Sequence, residues 1–230
     1  MVVAGGRGER LGGEAKQFRA LGGRPVACWA ARALLGSLAG PVVVVLPADA
    51  LETGEALFRT HLPADLARLR FAAGGARRQD SVRAGLEVLR AAATESVLVH
   101  DAVRPFASPA LVARVATDAA RGRSVVPAVP AADTLKRVDG PRLVETLDRT
   151  SLVAAQTPQG FSLAVLVAAH AAWPAAEEAT DDAAVCERLG AEVTWVPGEA
   201  RNRKLTDADD WWWAERLVES GRVTWEAAGA

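Results

Sequence analysis

The 230-residue sequence contains no tyrosine, one methionine, two cysteines and three histidines. The two cysteines, Cys28 and Cys186, each sit inside an apolar helical pattern, which excludes a disulfide framework and predicts buried thiols. His61, His100 and His170 are scattered without the spacing of a zinc site. Charge of one sign is lacking as well. The formal net charge is -1, so no overall basic field points to nucleic acid or to an anionic membrane. No apolar run approaches the roughly 20 residues of a membrane span, and the beginning has no signal-peptide stretch. These absences predict a soluble, cytoplasmic protein. Its length favours a single domain covering residues 1–230.

Lysine is scarce in another way. Of 27 basic residues only Lys16, Lys136 and Lys204 are lysine, so arginine is the ordinary surface cation here. A lysine kept against that background suits a place where a compact ammonium does what a planar guanidinium cannot. Lys16 stands beside the most informative segment of the chain. There a short apolar strand, Met1–Ala4, runs into Gly5-Gly6-Arg7-Gly8-Glu9-Arg10-Leu11-Gly12-Gly13-Glu14-Ala15-Lys16. Glycines let backbone N–H groups turn toward an anion, and Arg10 and Lys16 supply the charge that a polyphosphate needs. Two familiar phosphate loops fail on these letters. A dinucleotide fingerprint needs a third glycine where Leu11 stands, and a P-loop needs Lys-Ser or Lys-Thr where Glu14-Ala15 follow the pair Gly8 and Gly13. A glycine-rich turn without a ligand is the plain alternative.

Beyond the loop, helical and buried-strand patterns alternate. Helices are predicted over Pro25–Leu35, Leu51–Thr60, Arg78–Ala93 and Pro109–Arg121, and strands over Pro41–Leu46, Leu69–Ala72, Val97–Val99 and Ser124–Ala128. This is the rhythm of an α/β, Rossmann-like doubly wound and mostly parallel sheet, in which ligands bind beyond the carboxyl ends of the strands. On that edge would lie the glycine loop, Gly74-Gly75, His100-Asp101 and Pro127–Thr134. The rhythm breaks where Asp133–Val138 and Leu143–Asp148 flank the turn Asp139-Gly140-Pro141, a β-hairpin inserted at about residues 133–157. A lone hairpin is marginal in water, so it should pack against something, such as a second copy of the chain. Afterwards come a helix Leu163–Trp173, a helix capped by Thr180 and ended by Gly190, a strand Glu192–Val196, and a helix from Asp207 carrying Trp211-Trp212-Trp213. Three adjacent indoles span most of a helix, so at least one should face solvent or a partner.

Three further constellations could carry chemistry. Asp101, at the end of a strand, can hold a magnesium ion shared with substrate phosphates, or simply cap the next turn. Asn202-Arg203-Lys204-Leu205-Thr206-Asp207 reads as a ligand loop or as a basic loop with a helix cap. Arg149-Thr150 and Gln156–Gln159 offer donors suited to a phosphate monoester, or form a polar turn. No serine–histidine–acid or cysteine–histidine set suggests itself.

Taken in order, Ala4–Leu11 with Ala15-Lys16-Gln17, Asp80-Ser81-Val82, Val99–Pro105, Asp133-Thr134, Asp148-Arg149, Gln156–Gln159 and Asn202–Thr206 resemble the 2-C-methyl-D-erythritol 4-phosphate cytidylyltransferase family over nearly the whole chain. The resemblance implies an enzyme that joins CTP and methylerythritol phosphate, releases pyrophosphate, and serves the non-mevalonate route to isoprenoids. It also implies a homodimer through the arm and a divalent cation, Mg2+. By the same resemblance, Arg10 and Lys16 match the pair that stabilises the transition state at the α-phosphate, and Asp101 matches the metal carboxylate. Lys204 matches the lysine that positions the attacking phosphate, and Arg149 and Thr157 match arm-borne contacts to the sugar phosphate supplied across the dimer. Arg104, Thr134 and Thr180 match substrate contacts, while Ala4, Gly5, Gly6, Gly75, Ala76 and Ser81 match the pocket for cytosine and ribose. The chain departs from the family pattern at Val3, usually proline, at Ala76 and Arg201, where the pattern is often acidic, and in a first strand short at its amino end. A ribitol-5-phosphate cytidylyltransferase and a non-catalytic nucleotide-binding protein are the alternative readings.

Overall fold

The computed structural model describes residues 1–6 and 15–229. Its sheet is organised around the most apolar strand. In chain order the elements begin with β1 (Val2–Val3), β2 (Ala20–Leu21), β3 (Arg24–Pro25), α1 (Val26–Ser37), β4 (Val42–Leu46), α2 (Leu51–His61), β5 (Leu69–Ala73) and α3 (Arg78–Ala91). They continue with β6 (Ser96–Asp101), α4 (Pro109–Ala120), β7 (Ser124–Pro130), β8 (Lys136–Asp139), β9 (Arg142–Thr146), β10 (Val153–Ala155) and β11 (Gln159–Ser162). The last are α5 (Leu163–Ala172), α6 (Asp182–Arg188), β12 (Val193–Pro197) and α7 (Ala208–Glu219).

Every residue of β4 is buried, because the strand is covered on both faces. Val42, Val44 and Leu46 pack with Ala27, Ala31, Leu34, Phe58 and Val112 on one side, while Val43 and Val45 pack with Val82, Leu86, Leu166 and Val185 on the other. The helices are thereby sorted, α1, α2 and α4 over one face and α3, α5 and α6 over the other. The sheet runs β10-β7-β11-β6-β1-β4-β5, with β12 pairing β7. β6, β1, β4 and β5 are mutually parallel, as are β7 and β12. Two strands run against the rest: β10 lies antiparallel to β7 at the edge, and β11 lies antiparallel between β6 and β7. Gly160 makes this possible, since a Cβ there would stand 2.8 Å from Val115 Cγ1 and 3.0 Å from Ala119 Cβ of α4.

A third core fixes the end of the chain. Trp29 and Phe106 meet edge-to-face with centroids 6.1 Å apart, and Leu21, Leu205 and Trp211 are fully buried beside them. Of the three adjacent tryptophans Trp211 is buried, Trp213 contacts Phe106, and Trp212 is 63% exposed, as three neighbours on one helix require. Cys28 and Cys186 are both buried, and burial pushes each thiol up to about 12, which leaves them inert.

The inserted hairpin is β8 with β9, a separate two-stranded sheet. Its regular part is shorter than its alternating sequence suggests, because Asp133–Leu135 and Leu147–Asp148 form its base instead of further ladder. The helix start at α6 is a correction: Asp181, not Thr180, is the cap, its carboxylate accepting from Ala184 N–H at 2.9 Å. Either residue type can cap, and the one whose backbone is extended immediately before the first turn does so. Among the described residues no helix is long and apolar enough to cross a membrane.

Candidate active site

The site lies where β1, β5 and β6 end. Gly5 and Gly74 follow β1 and β5 and approach so closely that a Cβ on Gly74 would stand 3.2 Å from Gly5 Cα, 3.2 Å from Leu46 O and 2.7 Å from Ser81 Oγ. Gly5, Gly74, Gly75 and Ala76 line a concavity of about 400 Å³ together with Pro47, Ala48 and Asp49. A surface made mostly of main chain and small residues admits a planar ring and can read its edge with backbone groups. Gly74→Ala should therefore force two backbones apart, at a cost of about 1–3 kcal/mol. Thermal melting of the variant against wild type measures that cost, and an unchanged melting temperature would contradict the close approach.

Ala4 and Gly6 border a second concavity, of about 210 Å³, whose other walls carry Lys16, Arg78, Asp101 and Lys204. Here the charged residues converge. Lys204 Nζ lies 3.0 Å from Asp101 Oδ2, Arg104 Nε 3.6 Å from the same oxygen, and Arg78 Nε 3.5 Å from Oδ1. Burial works to raise the Asp101 pKa, but Arg78, Lys204 and Arg104 together hold the carboxyl well below the usual carboxylate range. A larger concavity of about 600 Å³, beside Phe106, Glu199 and Arg222, contains none of these lysines or Asp101, and volume alone does not mark the chemistry.

Both lysines stand on one locked frame. Lys16 opens a 3-10 turn, Lys16–Phe18, in which buried Gln17 donates to Gly6 O at 3.0 Å and so ties the loop's exit to its entry. Lys16 Nζ donates to Thr206 O, within the segment that carries Lys204. That segment is pinned by buried Asn202 and Leu205 on either side of Lys204, by Leu205 N–H donating to Val103 O, and by the reciprocal cap of Asp207 and Asp210 at the start of α7. Lys204 itself is exposed enough to move.

Thr157 is 4% exposed and belongs to the wall behind Asp101. Its Oγ1 accepts from Asp101 N–H at 3.0 Å and lies 2.9 Å from His100 Nδ1. Arg104 O, 3.0 Å from His100 Nε2, can only accept, so the proton sits on Nε2 and the Thr157 hydroxyl donates to Nδ1. Burial pushes the imidazole down to about 4, and it is neutral. Asn202 Nδ2 donates to Thr157 O at 2.7 Å, and Arg104 Nη1 to Asn202 O at 2.9 Å. In this way the foot of the arm, the end of β6 and the Lys204 segment share one buried polar joint.

Arg10 is outside the described residues. Ser81 is buried on α3 beneath Gly5 and Gly74, its hydroxyl donating to Arg77 O at 3.3 Å. Thr134, Arg149 and Thr180 are exposed and do not line the Lys16–Asp101–Lys204 concavity. Arg149 donates to Ala132 O at 2.6 Å, at the base of the arm.

Arg78 was missed by the sequence reading, as were the parts played by Gln17, His100 and Asn202. For Arg78 the available signal was its place on the first turn of a helix that directly follows the Gly74-Gly75 edge.

A metal would find one usable carboxylate. Among the described residues no three His, Cys, Asp or Glu side chains gather to cage an ion. Asp101 is held charged and offers hard oxygen, which suits a magnesium ion that keeps its waters and takes its remaining ligands from phosphates, provided Lys204 swings aside.

Comparison with known proteins agrees with this geometry. The family model IspD, 2-C-methyl-D-erythritol 4-phosphate cytidylyltransferase, matches residues 1–220. The chain is 47% identical over 231 residues to the bifunctional enzyme IspD/IspF of Anaeromyxobacter dehalogenans, covering 97% of this chain and 58% of that protein. It is 46% identical to the bifunctional enzyme IspD/IspF of Solidesulfovibrio magneticus, covering 91% of this chain and 54% of that one. It thus spans a little over half the length of these curated relatives. Among solved structures, the 2-C-methyl-D-erythritol 4-phosphate cytidylyltransferase of Thermus thermophilus superposes with a TM-score of 0.77 at 37% identity, covering 96% of this chain and 98% of that one. The 4-diphosphocytidyl-2C-methyl-D-erythritol synthase of Anaerococcus prevotii gives 0.80 at 26%, covering 95% and 94%. A glycine-lined pocket beside a concavity that two lysines share with a buried aspartate, on a sheet of this order, is thus met by a match along almost the whole sequence, and the chain belongs to the 2-C-methyl-D-erythritol 4-phosphate cytidylyltransferase family.

Proposed function

We propose that this chain transfers the cytidylyl group of CTP to 2-C-methyl-D-erythritol 4-phosphate, giving 4-diphosphocytidyl-2-C-methyl-D-erythritol and pyrophosphate in the non-mevalonate route to isoprenoid precursors. It does so as a single cytoplasmic nucleotidyltransferase domain and as a homodimer. The observation that carries the reading is that Lys16 lines one concavity with Asp101 and its partner Lys204, beside the main-chain pocket of Gly5, Gly74 and Gly75. The pocket receives cytosine and ribose, with Ala4, Gly6, Ala76 and Ser81 around them. The triphosphate then lies along the concavity that the two lysines border.

A phosphate-monoester oxygen of the sugar phosphate attacks the α-phosphorus. The bond from that phosphorus to the bridging oxygen of the β-phosphate breaks, and pyrophosphate leaves with the electron pair. The attacking oxygen is already an anion, so no base and no covalent enzyme intermediate are needed. What the reaction needs is neutralisation of the charge that two anions bring together, and alignment. Lys16 and Arg10 stabilise the crowded oxygens on the α-phosphorus, and Lys204 leaves Asp101 to hold the attacking phosphate. Arg104, which braces Asp101 and the Lys204 segment, limits where that carboxylate can point. Asp101 would hold a magnesium ion, which would shield the triphosphate.

The arm supplies the dimer contact and the far wall of the sugar site. Leu143 is 69% exposed and Val138 61% exposed on a hairpin with no sheet behind it, apolar surface that a second copy would cover. Arg149 at the arm's base, and Thr157 once loosened from its joint, hold the sugar phosphate across the dimer, and Thr134 and Thr180 supply further hydroxyl contacts to the substrate. Arg149→Ala is expected to raise the KM for the sugar phosphate with little change in that for CTP. Mixing it with Lys16→Ala protein should restore activity, because hybrid dimers contain one site with both residues intact. Absence of recovery after confirmed subunit exchange would refute a shared site. The decisive assay for the function is pyrophosphate release from CTP and magnesium with a panel of polyol phosphates. Methylerythritol phosphate is expected to be the preferred acceptor, and failure to release pyrophosphate with it would overturn the reading.

A further inference from the structure

We infer that Arg78 is a positioning residue of this site, acting through Asp101, and that buried Asp182 and His170 serve to hold it; the inference rests on the cytidylyl-transfer reading above. The four side chains form a continuous line through four elements. His170 Nε2 on α5 donates to Asp182 Oδ1 at 2.9 Å, Asp182 Oδ2 at the start of α6 lies 2.8 Å from Arg78 Nη1, and Arg78 Nε on α3 lies 3.5 Å from Asp101 Oδ1 at the end of β6. Asp182 is fully buried and His170 nearly so.

Charge explains why the line is built this way. Asp101 already faces Lys204 and Arg104, and a third cation against one carboxylate is tolerated only because Asp182 supplies a second negative charge behind it. The guanidinium is planar and gripped from the rear by Asp182, so it fixes Oδ1 and leaves Oδ2 toward Lys204.

Stability does not account for this concentration of charge. A buried ion pair seldom does better than apolar side chains of similar volume. This one also leaves Arg78 Nη2, His170 Nδ1 and Asp182 Oδ2 buried without a hydrogen-bond partner, the last paired with Arg78 by charge alone, a cost that apolar packing would avoid. Arg78 also borders the concavity that holds Lys16 and Lys204, so what it fixes is the geometry of the site.

The test compares wild type with Arg78→Lys and with an all-apolar triple variant, Arg78→Met with Asp182→Leu and His170→Phe. Each is followed by thermal melting, by calorimetric binding of CTP with magnesium, and by pyrophosphate release with methylerythritol phosphate. The triple variant is expected to melt at or above the wild-type temperature. Its kcat and its affinity for magnesium-bound CTP should each fall by roughly 10–100-fold, with the KM for the sugar phosphate nearly unchanged. Arg78→Lys keeps a charge but not the fork, and should recover only part of that loss. A folded triple variant with wild-type kcat and CTP affinity would overturn the inference. If the triple variant does not fold, Arg78→Lys decides alone, and wild-type kcat and CTP affinity there overturn it equally. Wild-type protein that releases no pyrophosphate would instead refute the assigned reaction, and calorimetry on the same variants would still measure the hold of Arg78 on the site.

Discussion

In the proposed reaction Lys16→Ala should lower kcat by ~10²–10³-fold while weakening CTP binding by much less, because the proposal uses its charge mainly as negative charge gathers on the α-phosphate. The geometry behind this expectation is the tether of Lys16 Nζ to Thr206 O, which holds the ammonium toward the Lys204 segment before any ligand arrives. A preorganised cation needs no reorientation during the reaction. In the proposed reaction substrate CTP keeps most of its charge on the β- and γ-phosphates, which other donors can share, whereas the charge that gathers on the α-phosphate in the transition state is what the Lys16 ammonium answers. Steady-state kinetics with direct calorimetry of CTP binding separates the two quantities, and an equal loss in both would remove Lys16 from the transition state. Lys16→Arg should not restore full turnover, since a planar fork cannot take the place of a compact ammonium donating to a single carbonyl.

Much of the fold was legible because burial on both faces leaves a plain signature. Val42–Leu46 reads as a buried strand from its letters alone, and helices declare themselves by their apolar periodicity and by starts such as Pro109 for α4 and Asp207 for α7. β11 was illegible. Its four residues follow a polar stretch, and what makes Gln159–Ser162 a strand is the gap between β6 and β7 and the closeness of α4 to Gly160, neither of which is local. The same division runs through the site. Asp101, Lys16 and Lys204 could be named because each stands in a motif at a strand end. The buried joint of His100, Thr157, Asn202 and Arg104 could not, because most of its hydrogen bonds connect residues far apart in the chain. Thr157 illustrates the limit best: its hydroxyl looks available in sequence, and folding commits it to Asp101 N–H and His100.

Asp101→Asn should abolish most turnover and also destabilise the protein by roughly 3 kcal/mol, an effect on melting of roughly 6–12 °C for a chain of this size. The amide is nearly the same shape as the carboxylate, so packing is not what is lost. The loss is the negative charge that Arg78, Arg104 and Lys204 share. Lys204 is about half exposed and can rehydrate, which keeps the penalty near the lower end for a broken buried ion pair. Arg78 and Arg104 cannot leave so easily: one is held by Asp182 and the other by Asn202 O. If that is the source of the penalty, adding Arg78→Met to Asp101→Asn should make matters no better, because Asp182 would then lose its partner. Adding both Arg78→Met and Asp182→Leu should recover much of the melting temperature without recovering turnover. Recovery of both together would mean that Asp101 contributes to activity only by holding the fold, and a wild-type melting temperature for Asp101→Asn alone would mean that its three cations need no counter-charge.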